Sequence, residues 1–311
     1  MNDVGYGAVG PLRNEKTTPY EQPWTVGIER QLPSRILLDV EYLGNRGVIL
    51  YFGGDNQIDI LPISVEGYSL NQIAAIQSCV NNPFQGYITD PNSSLSSPQV
   101  PQCQLDLPYP QFTSVTTDVP PVASSIYHSL QITSQKDFSN GLQFLITYVW
   151  SRSIDDSSAQ DDNTTWLGSF TSLQDPNRRY LERSLSTFDV PQTFQASYVF
   201  ALPFGRGRQF MGSSSRLVDG ILGGWITNGV WRLRGGRPLA FTMADGSSLP
   251  TYGTQRPNLV GTPHRNHGNN WINNFFTNPQ VFQLPPSMRS AMLPVALGAS
   301  APRTSSLRIF R

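Results

Sequence analysis

The chain has 311 residues, only 14% of them charged, and its 22 basic and 22 acidic groups leave a formal net charge of zero. Soluble domains carry roughly a quarter charged residues, and a balanced charge supplies no field to draw in nucleic acid, so that partner is excluded. With 26 Gly, 25 Pro and 11% aromatics, and with Lys16 and Lys136 the only lysines, the composition favours strands and turns over helices.

Residues 1–20 read as an irregular N-terminal segment. "MNDVGYGAVGPLRNEKTTPYEQP" holds no basic stretch followed by an apolar one, so no signal peptide is expected. No apolar run approaches the ~18 residues of a membrane helix.

The pattern changes at "WTVGIERQLPSRILLDVEYLGNRG", residues 24–47, which reads as two strands turning at "LPSR". One row carries Trp24, Val26, Ile28, Ile36, Leu38, Val40 and Tyr42, and the other Thr25, Gly27, Glu29, Asp39 and Glu41. "GNRG" is expected to begin a long polar connection, residues 44–125. Within it "YSLNQIAAIQSCV" has the spacing of a capping box, Ser69 and Gln72, with Leu70, Ile73, Ala74 and Gln77 on one side; it predicts a helix acting as a lid or loop brace. The two cysteines, Cys79 and Cys103, fit a single loop disulfide in an oxidising compartment, with two free thiols as the competing expectation.

A second pair, "YHSLQITSQK" and "LQFLITYVWS", turns at "DFSNG". Its second strand puts Leu142, Phe144, Ile146, Tyr148 and Trp150 on one face and Gln143, Thr147 and Ser151 on the other. Residues 152–188 are polar again and hold Trp166 and the acidic run Asp155, Asp156, Asp161 and Asp162, which lacks calcium-loop spacing and reads as a solvated loop. The third pair is "QTFQASYVFALPFG" and "GGWITNGVWRLRGG". Phe194, Ala196, Tyr198, Phe200 and Leu202 oppose Thr193, Gln195 and Ser197, while Asn228, Arg232 and Arg234 oppose Trp225, Trp231 and Leu233. Between these strands "PFGRGRQF" is expected to be a short turn with no helix after it, which excludes a phosphate cradle and sets Arg206 and Arg208 near membrane head groups.

Strands of about ten residues, short turns at one end, long polar connections at the other, and aromatics near strand ends are the asymmetry of outer-membrane barrels. The expected fold is all-β: an antiparallel meander forming a partial transmembrane barrel of about six strands, or eight if "RPLAFTM" pairs with a terminal segment. Lipid would then meet Trp24, Val26, Ile28, Leu38, Val40, Tyr42, Phe144, Ile146, Tyr148, Phe194, Tyr198 and Phe200, and a wet lumen would meet Glu29, Asp39, Glu41, Gln143, Thr147, Gln195, Arg232 and Arg234. A secreted β-sandwich, an adhesion or binding module with long loops, is the alternative. No catalytic constellation, cofactor motif or metal-ligand spacing emerges, and His264 and His267 sit in a Gly/Asn-rich stretch, so no enzyme is expected.

"PYEQPWTVGIERQLPSRILLDVEYLGNRG" is similar to a stretch of bacterial TonB-dependent outer-membrane receptors of the Oar-like group, which carry a carboxypeptidase-regulatory-like domain. "LDLPYPQFTSVT", "SSIYHSLQITSQKDFSNGLQFLITYVWSRSIDD", "LERSLSTFDVPQTFQASYVFALPFGRGRQF", "LGGWITNGVWRLRGGRPL", "QRPNLVG" and "SAPRTSSLR" resemble further motifs of that group in the same order. The resemblance implies a bacterial outer-membrane location, a large plugged barrel and energised import of a bulky ligand. Residues 21–311 then correspond to an internal piece of the barrel without plug, TonB-contacting segment or last strands, ending at "SSLRIFR". The implied partners are outer-membrane lipid, the rest of the barrel with its plug, and the TonB system through that plug. Open sheet edges in hydrocarbon cost several kcal/mol per unpaired group, so the piece alone is expected to aggregate.

Overall fold

Period-two alternation over long segments makes strands whose backbone groups need partners on both sides. The structure, a computed structural model, describes residues 4–10, 17–52, 57–117, 121–157, 173–240, 256–271, 273–283 and 296–297. Its strands are β1 (Gly7–Gly10), β2 (Tyr20–Leu32), β3 (Ile36–Tyr51), β4 (Cys79–Asn81), β5 (Gln99–Pro101), β6 (Ser114–Thr117), β7 (Pro121–Ser139), β8 (Leu142–Asp155), β9 (Ser184–Leu185), β10 (Gln192–Ala201), β11 (Ile226–Arg234), β12 (Leu239–Ala240), β13 (Asn258–Leu259), β14 (Phe282–Gln283) and β15 (Ala296–Leu297). Helices include α1 (Leu70–Gln77), α2 (Gln102–Leu105) and α3 (Arg216–Leu222).

The long strands β2, β3, β7, β8, β10 and β11 form one antiparallel sheet in chain order, with β9 paired onto β8. This is the expected meander of long strands. The described sheet is open, with β2 and β11 at its edges, and Pro23 sits in edge strand β2, where its missing N–H is tolerated. Two connections are tight. Pro33–Arg35 joins β2 to β3, and Asn140 and Gly141, both at positive φ, join β7 to β8 as a two-residue hairpin of the Asn-Gly kind. Lys136, buried near this end, donates to the Ser34 carbonyl at 2.7 Å and to the Ser139 hydroxyl.

Three expectations need correction. The strands run further than the polar composition suggested: "GNRG" lies inside β3, and β7 begins at Pro121 because Gly44–His128, Asn45–Tyr127 and Arg46–Ile126 continue the ladder. The N-terminal segment is not irregular throughout, since β1 pairs in parallel with β6, Gly5 N–H donates to the Gln111 carbonyl at 2.9 Å, and the Tyr6 hydroxyl bonds Asp90. The β10–β11 connection is not a short turn; it contains α3, two turns capped by Ser215. Among the described residues "RPLAFTM" contributes β12, which pairs with β15 near the C-terminus as expected, in a two-stranded sheet apart from the main one.

The buried core lies at the long-loop end rather than between sheet layers. Register shifts after Gly47 and Leu50, with Ile49 at φ 59°, bend the end of β3, and Phe52 becomes fully buried against Ala123, Leu173 and Leu50. Two further clusters are Leu61, Val65, Ile73 and Leu107, and Ile88, Leu95 and Val100. Helix α1 has the expected capping box, and its Ile73 anchors the first of these clusters, so the helix braces the loop.

Candidate functional site

Cross-strand register decides what each face of the sheet presents. Ile28 lies opposite Val40, then come Ile132, Tyr148, Phe194 and Leu233, one apolar row across six strands. Adjoining rows on that face hold Val26, Tyr42, Leu130 and Trp150 on one side, and Leu38, Ile146, Ala196 and Trp231 on the other. Trp24, Phe144, Tyr198 and Phe200 continue the same face toward the strand ends. One residue along, Glu29, Asp39, Thr133, Thr147, Gln195 and Arg232 stand opposite one another in a polar row. Glu41 and Arg234 belong to the neighbouring row of that second face, and Gln143 lies opposite Val199 further toward the tight turns. Each set of residues drawn from the alternation therefore falls on a single face.

The two faces differ physically. Glu29 and Asp39 are directly opposed like charges, a destabilising arrangement unless water screens it. The polar face is acidic at the β2–β3 side, with Glu29, Asp39 and Glu41, and basic at β11, with Arg232 and Arg234. A concavity of about 410 Å³ opens against β8, β10 and β11, lined in part by Gln143, Leu145, Ser197, Val199 and Asn228. On the apolar face Val26 and Ile28 are 68% and 75% exposed, and Tyr42, Trp150, Trp231 and Leu233 are exposed too. Among the described residues no protein layer covers these side chains. Aromatic rings sit over glycines there: Trp24 over Gly44, and Tyr198 over Gly229, where an added Cβ would come within 2.8 Å of the tyrosine ring. Trp24 and Tyr42 converge on His128, whose Nδ1 is 2.7 Å from the Tyr42 hydroxyl.

A family model described as an outer membrane beta barrel domain matches residues 4–308. The chain belongs to the outer membrane beta barrel domain family. No curated protein and no solved structure matches it.

The wall of this outer-membrane barrel domain carries a folded cap at its long-loop end. Arg256, 3% exposed, donates from Nε to Gln174 Oε1 at 2.7 Å and from Nη1 and Nη2 to the Glu182 carboxylate at 3.2 and 3.1 Å. Burial pulls the Arg256 pKa down while Glu182 opposes that shift. Arg178 bonds Glu66 at 2.8 Å, and the Arg179 guanidinium lies 4.2 Å from the centre of the Phe52 ring. The cap is tied to the wall where Ser153 N–H donates to Asp189 Oδ1 at 2.7 Å and where Asp156 accepts from Ser124 N–H and hydroxyl at 2.8 and 3.0 Å. Burial raises the pKa of Asp189, and likewise of Asp59, whose Oδ1 accepts from Tyr109 N–H at 2.9 Å.

The expected Cys79–Cys103 bridge is not formed. Cys79 starts β4 opposite Pro101 and is exposed, whereas Cys103 turns from α2 into the cluster around Leu61 and Ile73. Of the acidic run, Asp155 and Asp156 bond backbone and hydroxyl groups, while Asp161, Asp162 and Trp166 lie outside the described residues. His264 and His267 occupy the 256–271 loop, and among the described residues no three His, Cys, Asp or Glu side chains gather as metal ligands. Sequence reasoning missed Arg256 with Glu182, because their partnership spans |i−j| = 74 and leaves no local pattern. The signal for α3 was present as Ser215 followed by "RLVDGIL".

Proposed function

We propose that these strands are staves of a TonB-dependent receptor-like barrel of the Oar-like group, a transport protein rather than an enzyme. The observation that carries this reading is the pair of rows: Ile28–Val40–Ile132–Tyr148–Phe194–Leu233 on an uncovered face, backed by Glu29–Asp39–Thr133–Thr147–Gln195–Arg232. The first row meets hydrocarbon and the second lines a hydrated lumen. A sandwich would bury the apolar row beneath a second sheet about 10 Å away, and the exposure of Val26 and Ile28 argues against one. The ordered resemblance from "PYEQPWTVGIERQLP" to "SAPRTSSLR" supports the receptor subtype. The open edges at β2 and β11 pair with further barrel strands, since an unpaired edge is untenable in lipid. The cap then faces outward, where a bulky ligand is first met, and the tight turns face the periplasm.

A charge scan tests this. Arg at a lipid-facing midplane position costs about 2–4 kcal/mol, whereas lumen positions tolerate it. Val40→Arg is expected to abolish assembly of the heat-modifiable folded form in outer membranes, and Asp39→Arg to leave it intact. Equal tolerance at both positions would overturn the reading.

A further inference from the structure

Resting on the barrel reading, the segment between β10 and β11 has a second property. The other two hairpins at this end turn tightly, but residues 202–225 fold into a braced unit. Gly205 N–H donates to the Phe210 carbonyl at 3.1 Å, Phe210 N–H to the Pro203 carbonyl at 2.9 Å, and Arg206 N–H to Asp219 Oδ1 at 2.6 Å. The Phe204 and Phe210 rings pack at 5.7 Å. The Trp225 indole N–H donates to the Ile221 carbonyl at 2.7 Å, closing the end of α3, while Leu202 N–H bonds the Trp225 carbonyl at 2.8 Å and holds the unit beneath the strands.

Having braced its backbone, the unit buries almost none of its apolar side chains. Leu217 is 83% and Ile221 68% exposed, and Phe210, Met211, Leu222 and Trp225 are exposed beside them. Leu217 with Ile221, and Val218 with Leu222, are spaced to share one side of the helix. Three exposed arginines, Arg206, Arg208 and Arg216, accompany a single acid, Asp219, whose Oδ1 is already held by a backbone N–H. Among the described residues, none of the three arginines is ion-paired. The surface is also continuous with the wall: carried back from Trp231, Gly229 and Thr227, the alternation of β11 brings Trp225 to the apolar face.

An exposed apolar helix rimmed by cations, joined to a lipid-facing sheet, has the pattern of an interfacial anchor. We infer that residues 203–225 lie in the head-group layer at the short-turn end of the barrel, with Leu217, Ile221 and Trp225 in the acyl boundary and Arg206, Arg208 and Arg216 on anionic phospholipid.

The test uses the chain within the complete barrel whose further strands pair with β2 and β11, carrying Cys79→Ser and Cys103→Ser, in vesicles of phosphatidylethanolamine and phosphatidylglycerol. A nitroxide is attached after Ile221→Cys or, separately, after Val40→Cys, and its accessibility to oxygen and to a water-soluble nickel chelate is compared. Oxygen-favoring exposure at both positions supports the anchor. Lipid exposure at 40 with aqueous exposure at 221, as a soluble protein partner would require, overturns the anchor and leaves the barrel reading intact. Aqueous exposure at both overturns both. Replacing the three arginines by Gln should lower the immersed-to-aqueous ratio at 221 about five-fold per arginine in anionic vesicles and leave it unchanged in phosphatidylcholine. An unaltered ratio in anionic vesicles would overturn the anionic preference.

Discussion

Trp24 lies across Gly44, its partner on the neighbouring strand, and fills the space a Cβ would need, with its ring centroid 6.0 Å from that of His128. The glycine is what lets a large aromatic close over the ladder near the strand end. Tyr198 and Gly229 repeat the arrangement at the other side of the sheet, where Tyr198 also meets Trp231 at 6.0 Å. Both pairs belong to the apolar face, as interfacial aromatics of a barrel wall would.

Gly44→Ala must therefore displace the indole. Overpacking of this kind costs about 1–3 kcal/mol, so the urea midpoint of the folded protein in lipid should fall and tryptophan emission should shift. Gly67→Ala is the control, because a Cβ there meets nothing within 4 Å; its midpoint should stay near that of the parent.

The buried pair Arg256–Glu182 supports the second prediction. Removing one partner of a buried ion pair costs about 3–5 kcal/mol, because the other charge is stranded, while an apolar replacement of both is often neutral. Arg256→Ala should make the 173–191 segment open to limited proteolysis with the barrel wall still folded. Arg256→Met combined with Glu182→Leu should restore most of the protection. Equal cleavage of parent and single variant would show that the pair does not hold the cap.

The alternation made the sheet legible. Ile28, Val40, Tyr148 and Phe194 could be sorted from Glu29, Asp39, Thr147 and Gln195 before any pairing was known, because a strand sends successive side chains to opposite faces. Ser69 and Gln72 marked α1 by local chemistry alone. What escaped were features that depend on distant partners. Gly44, Asn45 and Arg46 look like a loop until Trp24 covers the glycine and β7 supplies their hydrogen bonds. The bend at Ile49 and the burial of Phe52 depend on Ala123 and Leu173. Cys79 and Cys103 suggested a bridge by number and context, but α2 turns the second thiol inward. For α3, the run of apolar residues is short, and its partner surface is outside the protein.

Asp59 gives the pH prediction. Burial raises its folded-state pKa above the ordinary carboxylate value, so the folded cap binds this proton more tightly than the unfolded chain. Its contribution is favourable below the unfolded pKa of 3.8 and is lost as pH rises through the folded value. Asp59→Asn keeps an acceptor for Tyr109 N–H while removing the charge. The variant cap should exceed the parent in urea midpoint at neutral pH, with the difference shrinking as pH falls toward the carboxylate range. A difference independent of pH would assign the effect to packing instead.

The two thiols should differ in reactivity. Cys79 is exposed at the start of β4, whereas Cys103 packs against the α1 cluster and its pKa is raised, first by burial and then by Asp106. Since the thiolate is the nucleophile, a maleimide at neutral pH should modify Cys79 about ten-fold or more faster than Cys103, and mild urea that loosens the cap should narrow the gap. Peptide mapping of the labelled protein separates the two sites. Two sites unreactive without reductant and reactive with it would instead reveal the bridge that the geometry leaves unmade, and would require α2 to rotate Cys103 out of its cluster toward the exposed end of β4.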